Sequence, residues 1–226
     1  AINLVENKFT LANPNTTLNG NALTWKNNPV AVMYQVYKNG KLVDETTAAS
    51  YQILDNNYAE YAVSAVDVLG QESFMSEPLI YSKSQPLVIE PEDFVAKSDL
   101  DYVNYSGKGF VEVSTEKNTK VSLPIVVDES GEYFLDIKYS NGSGPWNTDN
   151  KCAIRSLYIN QDYVGVMVLP QRGTNEWSDW GFSNSHKINL VKGGNELELF
   201  MEAWNNNMNV DVNLAMIDYI RLYKVQ

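Results

Sequence analysis

Val30-Ala31-Val32-Met33-Tyr34-Gln35-Val36-Tyr37-Lys38-Asn39-Gly40-Lys41-Leu42-Val43-Asp44-Glu45-Thr46 reads as strand, turn, strand. β-branched and aromatic residues dominate the first arm, and Asn-Gly supplies the positive φ angles that a two-residue hairpin loop requires. Outward from this hairpin the same grammar continues. Residues 22–25 form a short strand, 50–54 and 58–67 two more, Leu69-Gly70 a turn, and 77–81 a last strand. About seven short strands without a helical period predict a β-sandwich over residues 1–84. Ser82-Lys83-Ser84-Gln85-Pro86 is polar, ends in proline and reads as a linker.

Beyond it, residues 88–92, 109–113, 119–127, 131–139, 153–159, 163–169, 186–190, 196–203 and 215–224 read as nine further strands. Turns fall at Glu129-Ser130-Gly131, Asn160-Gln161 and Gly193-Gly194-Asn195. This pattern predicts a jelly-roll sandwich for residues 86–226, so the whole chain is expected to be all-β. Two long Asn- and Gly-rich loops, 141–151 and 205–213, stand out, because function concentrates on long loops held by rigid scaffolds.

Composition narrows the chemistry. Hydrophobic residues make up 44% of the 226 and charged residues 20%, values of a folded globular chain. The formal charge of −11 provides no basic footprint for nucleic acid. It divides as −3 over 1–84 (5 basic, 8 acidic) and −8 over 86–226 (12 basic, 20 acidic), which disfavours an anionic ligand. No apolar run approaches the ~18–20 residues of a membrane span. No signal peptide stands at either end, so an export signal is expected to have been removed or to lie outside this sequence. One cysteine, Cys152, excludes an internal disulfide framework, and one histidine, His186, excludes His-rich metal sites. Cys152 is expected to pack as a small hydrophobe and His186 to lie at the surface. GxSxG, P-loop and dinucleotide motifs are missing. Paired carboxylates such as Asp149 and Glu176 leave a glycosidase reading open.

Two constellations remain. If residues 88–92 form one strand, Glu90 and Glu92 share a face about 6.5–7 Å apart. Asp218 lies within the apolar run Ile217-Asp218-Tyr219-Ile220 and meets them if the first and last strands pair. A calcium ion, which takes oxygen ligands, would relieve the repulsion; solvated edge-strand charges are the plain alternative. Gly144-Pro145-Trp146-Asn147-Thr148-Asp149-Asn150, with Arg155 after it, offers an indole for the C–H face of a sugar and polar groups for its rim. Equally, Trp146 could plug the end of the sandwich.

Trp25, the alternating run 61–67 and Gly70-Gln71-Glu72-Ser73 resemble a fibronectin type III domain, with Trp25 in the core and Tyr61 at a tyrosine corner. Seven motifs in order resemble a carbohydrate-binding module of family 35 or the related family 6. They are Glu90-Pro91-Glu92, 105–111, Gly131-Glu132-Tyr133, 139–142, Trp177-Ser178-Asp179-Trp180, 193–197 and 217–220. That resemblance implies a structural calcium held by Glu90, Glu92 and Asp218, sugar stacking on Trp177, a structural Trp180, and an asparagine contact from the last loop. Asn207 is taken for that contact, with Asp211 and Asn213 as competitors, and Tyr102 and Tyr105 are further candidate platforms. The expected ligand-binding set is therefore Trp146, Asn147, Asn150, Arg155, Trp177 and Asn207. The chain itself is expected to be non-catalytic, the C-terminal part of a larger secreted, periplasmic or cell-surface bacterial glycoside hydrolase. Its partners would be a glycan, neutral rather than anionic given the acidic surplus, and the parent's catalytic domain. The rival reading makes both domains purely structural, packing against that catalytic domain.

Overall fold

The computed structural model describes residues 11–54, 58–145, 152–205 and 213–225. The chain divides into two compact units, Ala1–Lys83 and Ser84–Gln226, parted inside the polar stretch read as a linker. No helix among the described residues is long and apolar enough to cross a membrane.

The first unit contains β1 (Thr16–Asn19), β2 (Ala22–Trp25), β3 (Ala31–Lys38), β4 (Lys41–Thr46), β5 (Ser50–Gln52), β6 (Ala59–Asp67) and β7 (Leu79–Tyr81). They form two antiparallel sheets, β1-β2-β5 and β4-β3-β6-β7. Asn39 and Gly40 adopt φ of 50° and 74°, which gives the β3–β4 turn the twist that its strands need. Trp25 packs edge-on against Tyr34, ring centroids 5.3 Å apart, inside a core that includes Leu23, Val36, Tyr61 and Val63. β1 carries no sequence signal of its own: one leucine among polar residues makes a half-exposed edge strand.

The second unit runs β8 (Leu87–Ile89), a 3-10 turn (Pro91–Asp93), β9 (Val111–Val113), β10 (Lys120–Val127), β11 (Gly131–Ser140) and β12 (Cys152–Ile159). β13 (Asp162–Pro170), β14 (Gly181–Phe182), β15 (His186–Leu190), β16 (Gly193–Phe200) and β17 (Ala215–Lys224) complete it. One sheet is β10-β16-β12-β13. In the other, β11 and β17 are central, flanked by β14 and β15 on one side and by β8 and β9 on the other. Alternate residues of both sheets meet in one core: Val121, Leu123 and Leu199 from the first, Leu135, Ile137 and Ile220 from the second.

Three details position the site. First and last strands do pair, with Ile89 opposite Ile220 and Leu87 opposite Leu222. β17 carries a bulge: Lys138 faces Tyr219 and Tyr139 faces Ile217, which leaves Asp218 as the extra residue. The bulge breaks the alternation, so that Ile217 and Ile220 both enter the core while Asp218 is aimed elsewhere. Finally, the expected strand 88–92 stops at Ile89. Pro91 has no N–H for the ladder, and its fixed φ suits the start of a helical turn, so the chain bends there.

Candidate functional site

The bend corrects the single-strand geometry expected for Glu90 and Glu92, yet it still folds their carboxylates into one buried space. Oε2 of Glu90 and both side-chain oxygens of Glu92 are shut off from solvent without a hydrogen-bond partner. Burial, followed by the negative charges of Glu92, Asp218 and Asp93, pushes Glu90 up to about 7. Burial likewise raises Glu92, while the nearby amides of Glu92 and Lys108 pull it down without reaching bonding geometry. Gly107 (φ +61°) closes the space: a Cβ there would stand 2.8 Å from Glu90 Oε1.

Asp218 is fully buried and committed differently from expectation. The Ser106 amide donates to both of its oxygens at 3.0 Å, and Lys138 Nζ lies 2.8 Å from Oδ2. Lys138 also donates to Ser106 Oγ at 2.9 Å. Burial raises the Asp218 pKa against the opposing pull of Lys138 and Ser106. Among the described residues no three acidic, His or Cys side chains gather closely enough to hold an ion unaided. Three orphaned carboxylate oxygens in a buried acidic space nonetheless fit a hard divalent cation, with Glu90 and Glu92 as the available ligands.

The same segment bears the aromatics. Tyr102 lies parallel to Trp177, centroids 5.8 Å apart and planes 10° from parallel, and its stack continues to Phe110 at 5.8 Å. Phe110 meets Trp180 at 5.4 Å, and Tyr105 meets Phe110 at 5.2 Å. The Trp180 indole donates to the Val103 carbonyl at 2.7 Å, and the Val103 amide to Ser178 Oγ at 3.0 Å. Residues 102–110 are thus held against residues 177–180 by ring stacking and hydrogen bonds, and against the carboxylate space through Ser106 and Gly107. Trp177 is half-buried with one face on Tyr102, and Trp180 packs as a structural ring.

Arg155, expected at the sugar rim, is only 1% exposed. Its guanidinium donates to Ile154 O and Asn213 Oδ1, both at 2.7 Å, to Ser114 O at 3.0 Å and to Asn213 O at 3.1 Å. Burial lowers its pKa to about 10. Its direction explains the correction: on β12 it shares the inward parity of Ala153 and Leu157, so it serves the loop roots from inside. Asn213, a competitor for the sugar contact, is buried too and donates to Asn205 O at 2.7 Å. This internal amide network has no sequence signature, because asparagines in a loop read alike whether they face water or carbonyls. Trp146, Asn147, Asn150, Asn207, Asp149 and Asp211 lie outside the described residues. Glu176 is exposed, and its Oε1 accepts from the Ser178 amide. Cys152 is half-buried, and His186 Nε2 lies 2.7 Å from Val166 O, over Gly165.

No family model matches the chain. In sequence it is 28% identical over 114 residues to a cycloisomaltooligosaccharide glucanotransferase of Niallia circulans, covering 50% of this chain and 11% of that protein. It is 31% identical over 108 residues to a 1,6-alpha-glucosyltransferase of Sporosarcina globispora, covering 47% of this chain and 8% of that one. The chain therefore spans about a tenth of the length of these relatives. In structure it is similar to a Paenibacillus cycloisomaltooligosaccharide glucanotransferase complexed with cycloisomaltoheptaose. That match has TM-score 0.50 and 22% identity, over 65% of this chain and 19% of the other. A family 35 carbohydrate-binding module from Clostridium thermocellum has TM-score 0.47 and 20% identity, over 63% of this chain and all of that module.

Proposed function

We propose that residues 86–226 form a non-catalytic carbohydrate-binding module of the family 35 kind, which holds a larger enzyme on its glycan. The single observation that carries this reading is the double anchoring of residues 102–110, stacked on Trp177 and bonded into the acidic space. A flat, fixed ring beside a pre-ordered loop binds a sugar face at low entropic cost. Sequence likeness to segments of enzymes named for isomalto- and 1,6-α-glucosyl chemistry points to α-1,6-linked glucan as the glycan. This ligand is neutral, as suits the negative charge of the unit.

Calcium is the proposed structural ion. Glu90 and Glu92 would hold it, and it would neutralise charge that burial otherwise penalises. Residues 1–84 are proposed as a fibronectin type III-like spacer. For this unit Leu54, Val68, Leu69 and Phe74, 67–85% exposed, are the apolar side chains that a packing role would use. The parent protein would act where polymer is met, outside the cell or at its surface.

The test is retention on dextran. Wild type should be retarded in dextran-containing gels, with Kd of roughly 10 µM to 1 mM for short isomaltooligosaccharides. Trp177→Ala should weaken binding by the folded protein about tenfold, since a sugar–aromatic stack contributes on the order of 1–1.5 kcal/mol, and should lower the melting temperature as well, because the Tyr102 stack is lost. Unaltered retention would remove Trp177 from the site. Turnover of aryl glucosides by the isolated chain would overturn the non-catalytic reading.

A further inference from the structure

The loop that carries Trp177 is fastened at a second place besides Tyr102. β11 belongs to one sheet of the second unit and β13 to the other, and the segments that leave these two strands are bonded together. Asn141, fully buried, donates through Nδ2 to Leu169 O at 3.1 Å, and its carbonyl accepts from the Arg172 amide at 2.8 Å. Between the two segments stands Gln171. Its Nε2 lies 2.9 Å from Ser143 O, 3.1 Å from Gly144 O, 3.3 Å from Pro145 O and 3.0 Å from Gly173 O. A side-chain amide has two N–H groups, so these four carbonyls share two protons. Carbonyl oxygens repel one another, and the amide at their centre is the group that holds them together. Gln171 follows the end of β13, is half-buried and lies outside the hydrophobic core, so its bonds act on the loops rather than on the sandwich.

The strap reaches Trp177. Gly144 O also accepts from the Asn175 amide, at 3.2 Å. Gly142 is packed so closely that a Cβ on it would stand 2.0 Å from Glu176 O and 2.7 Å from the Trp177 amide nitrogen. The backbone at 176–177 therefore rests on residues 141–145, which Gln171 ties to Gly173 at the start of the same loop. We propose that Gln171 is a positioning residue for sugar binding: its amide, with Gly142 beside it, fixes where the Trp177 ring stands before a glycan arrives. This deepens the proposed function and rests on it, since Trp177 is the ring taken there to stack on sugar. Tyr102 holds the face of the indole, while Gln171 and Gly142 hold its backbone. A ring fixed in advance loses little freedom on binding, so releasing the strap weakens affinity without removing any sugar contact.

The experiment compares wild type with Gln171→Met, Gln171→Lys, Gly142→Ala and Trp177→Ala. Isomaltooligosaccharide affinity is measured by calorimetry well below each melting temperature, and hydrogen exchange is followed on peptides that cover 143–145 and 173–177. Gln171→Met keeps the length and removes both donors. Exchange in both segments should quicken, exchange in β11 and β13 should stay as in wild type, and affinity should fall about three- to tenfold. Gln171→Lys returns N–H donors to the same carbonyls and should recover most of that affinity. Gly142→Ala should weaken binding at least as much as Gln171→Met, because the atoms its methyl meets are backbone. Wild-type affinity in Gln171→Met, with Trp177→Ala about tenfold weaker, would overturn the positioning role and leave the proposed function standing. Faster exchange at unchanged affinity would reduce Gln171 to a contact of the fold and overturn it likewise. Affinity lost in Gln171→Met but kept in Trp177→Ala would mean a route that bypasses Trp177, and would sink both the inference and the Trp177 assignment. No isomaltooligosaccharide binding by wild type would end the proposed function and this inference together.

Discussion

Gly107 and Glu90 show how one residue's geometry governs another's charge. At φ +61° glycine carries no steric cost, and a Cβ there, 2.8 Å from Glu90 Oε1, would push the Glu90 carboxylate aside. Gly107→Ala should lower stability by about 1–3 kcal/mol and abolish any rise in melting temperature with calcium, both read by thermal unfolding with calcium or with chelator. Proton linkage provides a further check. The folded state raises Glu90 from its ordinary 4.5 to about 7, so folding favours the neutral carboxyl. In chelator, that contribution is complete below pH ~4.5 and lost as pH rises through about 7. Calcium should cancel the loss, so the stabilisation it gives should grow from pH 5 to pH 8. Equal stabilisation at both pH values would sever Glu90 from the ion.

At the level of elements, β17 combines three tasks. Its bulge turns Asp218 to Ser106 and Lys138, its middle closes the sandwich against β8, and its root is tied by Arg155 through Asn213. Replacing Arg155 by Met keeps the bulk but leaves Asn213 Oδ1 and the Ser114 carbonyl without that donor. A loss of about 2–4 kcal/mol is expected in denaturant unfolding, and sugar affinity should fall only with the folded fraction. Direct sugar contact would instead show as weakened binding at full stability. Strands of this kind were readable beforehand: residues 186–190 and 215–224 form strands with the expected bounds, and the hairpin at Asn39-Gly40 closes where the dipeptide demands. β16 was harder, starting at Gly193 rather than 196, because the buried Asn195 side chain closes the preceding loop onto Val191 and draws both glycines into the ladder.

Across the second unit, the acidic space and the aromatic stack are joined by one segment, residues 102–110. Removing the ion should therefore loosen the platform as well as the fold. Chelation is expected to reduce dextran retention several-fold at temperatures well below unfolding, measured in the same gels with and without calcium; retention indifferent to chelator would uncouple the two. Local pattern by itself determined the all-β architecture, because alternation and turn chemistry act between neighbours in sequence; it singled out Glu90, Glu92 and Asp218 without deciding how they meet. Tertiary structure alone decided that Asp218, set out of line by the bulge in β17, takes Ser106 and Lys138, and that Glu90 and Glu92 turn into one buried space around Pro91. Side-chain direction after a bulge or a proline bend depends on what the rest of the chain packs against it, and no spacing rule carries that information.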